Sequence, residues 1–119
     1  IQRPIPVWFG AYSPPACRRA GRLGDGWFPM VGPGPQLDTA LGLVRQAATE
    51  AGRNPADIAM EGRVSWRGSA EEIVDDLRAW ADAGASHVSI NTMGAGLMSV
   101  DDHLAALAAA AEAATALTE

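Results

Sequence analysis

Lysine is absent from this 119-residue sequence, cysteine occurs once and histidine twice. Each shortage removes a class of function. A single thiol, Cys17, cannot close an internal disulfide, so the chain suits a reducing cytoplasm. It is also a poor metal ligand, because His87 and His103 stand at no ligand spacing from it. All 9 basic residues are arginines, and against 14 carboxylates they leave a formal charge of −5. An acidic chain without a basic cluster argues against nucleic acid as a partner. No apolar run of about 18 residues is present, which argues against a membrane span. The opening residues show no charged leader followed by an apolar stretch, so no signal peptide is expected. The sequence starts at Ile1 rather than at methionine, and the expectation is that upstream sequence belongs to the natural protein.

What is present suits a soluble globular core: 48% of residues are apolar and 19% charged. The length allows one small domain. Pro4 to Gly10 reads as a short buried strand. Ser13-Pro14-Pro15 opens a helix, with Ser13 as N-cap and proline where its missing N–H does no harm, and Gly24 closes it. Asp25-Gly26 makes a tight turn, followed by a strand over Trp27–Met30. A loop over Val31–Pro35 leads to a helix over 36–51, with Leu37, Leu41, Val44 and Ala48 at helical spacing. A third strand covers Ile58–Trp66. Ser69-Ala70-Glu71-Glu72 is a capping box for the next helix, whose inward stripe is Ile73, Leu77, Trp80 and Ala81. His87–Ile90 is a fourth strand. Asp101 or Asp102 caps a last helix with Leu104, Leu107, Ala111, Ala114 and Leu117 as its apolar stripe.

Four strand–helix steps imply an α/β fold with a parallel sheet and right-handed crossovers. Two architectures satisfy this: a small open sheet, or an arc of a closed barrel. A (β/α)8 barrel needs roughly 250 residues, so this chain would be one half of it, and its sheet edges would stay unpaired.

The side chains at the strand ends give the functional reading. Gly10 ends a strand and Ser13 begins a helix, whose first N–H groups are unsatisfied and partly positive. That arrangement is a ready anion site, with glycine admitting an anion to the backbone. The bland reading is that Gly10 makes the turn and Ser13 only caps. Trp27 and Phe28 point to opposite sides of their strand, and both read as core. Asp25 precedes its strand and reads as a turn residue, with one of Arg18, Arg19 or Arg22 as a candidate ion-pair partner. Arg67 reads as a surface residue, His87 as non-catalytic and His103 as solvent-facing. Gly94-Ala95-Gly96 is a weak candidate for a second anion nest.

Pro6-Val7-Trp8-Phe9-Gly10-Ala11-Tyr12-Ser13-Pro14, Arg18-Arg19-Ala20 and Arg22-Leu23-Gly24-Asp25-Gly26-Trp27-Phe28-Pro29 together resemble the luciferase-like monooxygenase family. The resemblance is nearest to its branch that uses coenzyme F420, a deazaflavin. Glu50 to Pro55, and Ser69 to Gly84 with His87-Val88, resemble later recurring stretches of the family, so the likeness covers nearly the whole chain. It implies a single (β/α)4 segment over 1–119, the C-terminal half of a TIM barrel. The cofactor, coenzyme F420 or FMN, would lie across the carboxyl ends of the strands. Gly10, Ala11, Tyr12 and Ser13 would hold its phosphate and neighbouring chain, and Met30 would line the substrate pocket. Many members of the family carry two glycines where this sequence has Gly10-Ala11. The activity implied is that of an oxidoreductase or monooxygenase on a small-molecule substrate. The ring-facing groups would come from the absent half, so the chain alone would be inactive. A homodimer is a further expectation. The alternative is a non-catalytic half-barrel that self-associates or binds cofactor without chemistry.

Overall fold

In the computed structural model, which describes Ile1 and residues 3–118, four parallel strands alternate with four helices. The order is β1 (Trp8–Ala11), α1 (Pro14–Leu23), β2 (Gly26–Pro29), α2 (Pro35–Glu50), β3 (Ala59–Ser65), α3 (Ala70–Asp82), β4 (His87–Asn91) and α4 (Val100–Thr118). The strands are hydrogen-bonded in chain order, β1-β2-β3-β4. The expected alternation is therefore present. The sequence reading did not find the 3-10 turn over Pro55–Asp57, which Asn54 opens by accepting from the Ala56 amide at 3.1 Å. Among the described residues no helix is long and apolar enough to cross a membrane. The chain falls into two compact units, Ile1–Gly62 with Gly84–His87, and Arg63–Ala83 with Val88–Glu119.

In the first unit the register is parallel throughout: Phe9 lies opposite Trp27, Gly10 opposite Phe28, and Trp27 opposite Met60. Alternation then sorts the side chains. Phe9, Ala11, Trp27 and Met60 share one face, and Ala11, Trp27 and Met60 are almost wholly buried. Trp8, Gly10, Gly26 and Phe28 share the other. There the Trp8 ring covers Gly26 so closely that a Cβ would meet it at 2.4 Å. Phe28 tilts against Trp8 with ring centroids 5.3 Å apart, and the His87 ring meets Trp8 edge-on.

Two sequence expectations change here. Phe28, read as core with one of the pair inside the barrel and the other beneath a helix, lies on the face without a helix of this unit and is 37% exposed in this chain. The first strand starts at Trp8, not Pro4, and is only partly buried, with Ile5 and Val7 exposed. Pro4 and Pro6 have no N–H to give to a ladder.

Asp25 explains how the amino ends of three strands are held together. Its carboxylate accepts from the Val7 amide at 2.8 Å, its own amide donates to the Val7 carbonyl at 2.8 Å, and its carbonyl accepts from Ala59 at 3.0 Å. It forms no ion pair with Arg18, Arg19 or Arg22, so that expected pairing is replaced by a backbone clasp.

Helices α1 and α2 pack through small residues. A Cβ on Gly21 would stand 2.2 Å from the Val44 carbonyl oxygen and 2.9 Å from the Ala47 Cβ. Cys17 is buried in the same seam, and burial pushes its thiol pKa up, so it behaves as a small apolar residue rather than a nucleophile. Arg53 then fastens the end of α1, donating to the carbonyls of Gly21 and Gly24 at 2.6 Å each. These are carbonyls that a helix terminus leaves without partners.

In the second unit α3 buries Ile73, Leu77 and Trp80, and the Trp80 indole donates to the Arg63 carbonyl of β3 at 3.2 Å. Ser69 occupies the N-cap position of α3 but makes no capping hydrogen bond with its side chain. Arg67 instead braces this end, bonding the Asp76 carboxylate and the Glu72 carbonyl. That confirms the surface role read for Arg67 and gives it a structural purpose.

The cap of α4 also differs from expectation. Ser99 precedes the helix, its hydroxyl accepts from the Asp102 amide at 3.1 Å, and Asp102 reaches back to the amides of Ser99 and Met98 at 3.0 and 3.2 Å. Asp102 is thus the far half of a reciprocal capping box. The buried face of α4 is Ala106 and Ala110, whereas Leu104 and Leu107 face outward. Alanines allow a close approach to a neighbouring helix that leucines at those positions would prevent.

Two measurements check these contacts. Gly21→Ala is expected to destabilise the protein by about 1–3 kcal/mol in urea denaturation, because the new methyl meets backbone, which cannot give way as a side chain would. The Ser99 side chain, then the Met98 and Ser99 amides, hold the Asp102 carboxyl below its ordinary value of 3.8. A depressed carboxylate stabilises the folded state fully above its unfolded value, and that contribution disappears as pH falls through the lower folded value. Protection of the Met98 and Ser99 amides against exchange, corrected for the intrinsic rate, should therefore fall in acid below about pH 4, and Asp102→Asn should remove that pH dependence.

Candidate functional site at the carboxyl edge of the first two strands

The sequence placed Gly10, Ala11, Tyr12 and Ser13 at the end of a strand and the start of a helix, and the structure puts them there. Gly10 and Ala11 are the last two residues of β1, Tyr12 and Ser13 form the link, and α1 begins at Pro14. Met30 follows the end of β2, and its amide donates to the Ala11 carbonyl at 3.3 Å. The phosphate residues and the substrate-pocket residue named from sequence thus meet at one carboxyl edge. Met30 and Tyr12 both project outward, with Tyr12 76% and Met30 60% exposed, while Ala11 is buried beneath them.

Hydrogen-bond accounting sharpens this geometry. Ser13 has the extended backbone of an N-cap, yet its hydroxyl makes no capping bond. The Cys17 amide goes to the Ser13 carbonyl at 3.0 Å, and Pro14 and Pro15 have no amide hydrogen. Among the described residues, the amides of Tyr12, Ser13 and Ala16 and the hydroxyl of Ser13 have no partner. The helix end keeps its partial positive charge but presents it through fewer amides than an ordinary N-terminus, with a hydroxyl beside them. Such a set suits a compact anion with several acceptor oxygens.

Gly10 adds room. A Cβ built on it meets nothing within 4 Å. Its φ is not positive, so the backbone there does not need glycine. Its neighbour across the ladder is Phe28, whose exposed ring stands on the same face. Phe28 joins the candidate residues on geometry, although the Trp27-Phe28 pair reads as core from sequence. The signal was available in the twofold repeat of the strand: once Trp27 is committed to the helices, Phe28 must face the other way.

Beside the Gly94-Ala95-Gly96 loop, the Met93 amide donates to the Asn91 side chain at 3.1 Å, and the Met98 and Ser99 amides donate to Asp102. A carboxylate at that helix start also disfavours an anion. His103 is half-buried rather than solvent-facing and bonds the Thr92 hydroxyl at 2.8 Å. His87 begins β4 and bonds the Ser86 hydroxyl at 2.9 Å, a position at the amino end of the strand and away from the site.

Comparison with known proteins extends this picture. The chain is 39% identical over 82 residues to the F420-dependent glucose-6-phosphate dehydrogenase of Nakamurella multipartita, a match covering 66% of this chain and 24% of that protein. It is 35% identical over 114 residues to the phthiodiolone/phenolphthiodiolone dimycocerosates ketoreductase of Mycobacterium kansasii, covering 81% of this chain and 30% of the relative. The chain therefore spans roughly a quarter to a third of the length of these curated relatives. Among solved structures, the coenzyme F420-dependent tetrahydromethanopterin reductase of Methanopyrus kandleri superposes with a TM-score of 0.60 at 14% identity, over 72% of this chain and 44% of that one. That likeness carries the fold, a (β/α)4 portion of a TIM-barrel chain. The model of the luciferase-like monooxygenase family matches residues 1–118, and the chain belongs to that family.

Proposed function

We propose that the chain is the C-terminal half of a (β/α)8 oxidoreductase that uses coenzyme F420, and that Gly10, Ala11, Tyr12 and Ser13 hold the phosphate side of that cofactor. The observation that carries the proposal is the set of unpartnered donors at Tyr12, Ser13 and Ala16 beside the open space over Gly10. A helix start with spare amides binds phosphate readily. The names of the relatives support the deazaflavin over FMN: the dehydrogenase and the structural neighbour are both F420-dependent.

Bound at this edge, the deazaflavin supplies two-electron hydride transfer. The protein supplies position. The amides of Tyr12, Ser13 and Ala16 would hold the anionic end, Gly10 would leave room for the adjoining chain, and Phe28 would stand beside it. Met30, exposed past the end of β2, bounds the space open to a small-molecule substrate. Among the described residues no carboxylate or histidine stands at this edge, so on this reading the groups that act on the substrate belong to the complementary half. The isolated chain is accordingly inactive in turnover, resides in a reducing cytoplasm, and self-associates through the strand edges that the other half would cover.

The test is a titration of 15N-labelled protein with coenzyme F420 and, separately, with FMN. Shifts should concentrate at the Tyr12, Ser13 and Ala16 amides, at lower concentration for F420. Gly10→Ala should leave the melting temperature unchanged or higher, since its Cβ meets no protein atom within 4 Å, and Gly10→Val, with its fold checked by circular dichroism, should abolish those shifts. Ser13→Ala should weaken binding about three- to tenfold, the worth of one hydrogen bond to a charged group. Shifts that persist unaltered in Gly10→Val, or that fall elsewhere, would overturn the site.

A further inference from the structure

The outer face of α1 carries a charge pattern that the proposed function leaves unused. Arg18, Arg19 and Arg22 lie on this helix, three of the 9 basic residues of the chain. All three are exposed, whereas Cys17, Ala20 and Gly21 are buried. At about 3.6 residues per turn, Arg18 and Arg22 stand one above the other and Arg19 stands three positions from Arg22, so the guanidinium groups share one solvent face.

Nothing on that face neutralises them. None of the three makes an ion pair or a side-chain hydrogen bond among the described residues. Helix α1 itself contains no carboxylate. Like charges at helical spacing repel one another, and an anion among them relieves that repulsion. The arginines around α3 are treated differently: Arg67 and Arg78 each pair with a carboxylate of that helix. In a chain of formal charge −5, the α1 patch is a local reversal of sign.

Direction ties the patch to the carboxyl-edge site. Side chains on a helix lean toward its N-terminus, so each covers the turn before its own Cα. Arg18 and Arg19 therefore lie over the first turn of α1, where the Ser13 hydroxyl and the Ala16 amide have no partner among the described residues. Arg22 continues the row one turn further on.

We infer that the outer face of α1 binds an extended chain of carboxylates that runs on from the anion held at the start of the helix. The inference rests on the cofactor reading, because coenzyme F420 carries such a chain, an oligoglutamate attached beyond its phosphate. FMN ends at its phosphate and has nothing to offer the three arginines. A guanidinium fork takes a carboxylate in two parallel hydrogen bonds. Each contact here is exposed, so the gain per arginine is small and the three act together.

The test compares coenzyme F420 bearing a pentaglutamate tail with the form that ends at the lactyl phosphate. Each is titrated by calorimetry into the wild-type chain and into the triple variant Arg18→Gln, Arg19→Gln, Arg22→Gln. Glutamine keeps the helix propensity and removes the charge, and circular dichroism checks the fold. The wild type should bind the tailed form about five- to tenfold more tightly at low ionic strength, the scale of three exposed ion pairs. That ratio should fall to about one in the variant, and also in about 1 M salt, where the screening length is about 3 Å. The Nε–H signals of the three arginines should shift with the tailed form alone. Equal affinity of the two forms for the wild type, or a tail advantage that survives in the variant, would overturn the inference and leave the phosphate site standing. Binding of neither form would overturn both.

Discussion

The register of the first three strands depends on one carboxylate and its own backbone. Asp25 ties Val7 through both a side-chain and a main-chain bond and passes the same edge on to Ala59. Everything at the opposite edge follows from that clasp. A slip of one residue in a strand exchanges its two faces. It would drive Gly10 under the helices and turn Ala11 and Trp27 toward the uncovered side. The open space over Gly10 and the exposed ring of Phe28 therefore exist because a residue at the far end of the strands holds the pairing. A carboxylate beside a glycine attracts a catalytic reading. Here its influence on function is exerted through register, with no contact to the site.

The placement of α1 completes the construction. A helix N-terminus is useful to an anion only if the helix points the right way and cannot roll. Gly21 removes the side chain that would hold α1 and α2 apart, and Arg53 locks the last carbonyls of α1 from a different part of the chain. These contacts lie at the lower half of the helix, while its upper end stays lightly bonded. The division is economical: the packed end fixes the direction of the dipole, and the free end keeps its amides unspent.

Much of the fold was legible because strand and helix have different periods, and because glycine, proline and serine punctuate them. The four repeated steps, the glycine stop after α1 and the inward stripe of α3 all follow from such signals. The failures have physical causes. Pro4 and Pro6 disqualify the first residues of the expected strand as ladder donors, a point that outweighs their apolar character. The stripe chosen for α4 assumed that leucine faces inward, but close helix contact favours alanine. Position marks Ser13 and Ser69 as caps, but a cap is a hydrogen bond, and neither side chain makes one. The strand–glycine–serine–helix arrangement of the candidate site was legible, since it is a local pattern. Phe28 was hidden because its partner, Gly10, is adjacent only across the ladder.

The two glycines of the paired strands show why the site belongs to the backbone. Glycine in a strand interior is destabilising by roughly 0.5–1 kcal/mol relative to alanine, so each occurrence asks for a compensation. Gly26 has one inside the chain, since the Trp8 ring occupies the place of its Cβ. Gly10 has none: its φ is ordinary and no protein atom approaches. Amides and a hydroxyl without partners among the described residues stand immediately after it, and an aromatic ring stands beside it. The proposed function uses that space for a cofactor's chain; in a closed barrel the same face is also where side chains of further strands pack. On the proposed function, a chain that holds its ligand through its main chain contributes position, and the chemistry would come from the groups that face it.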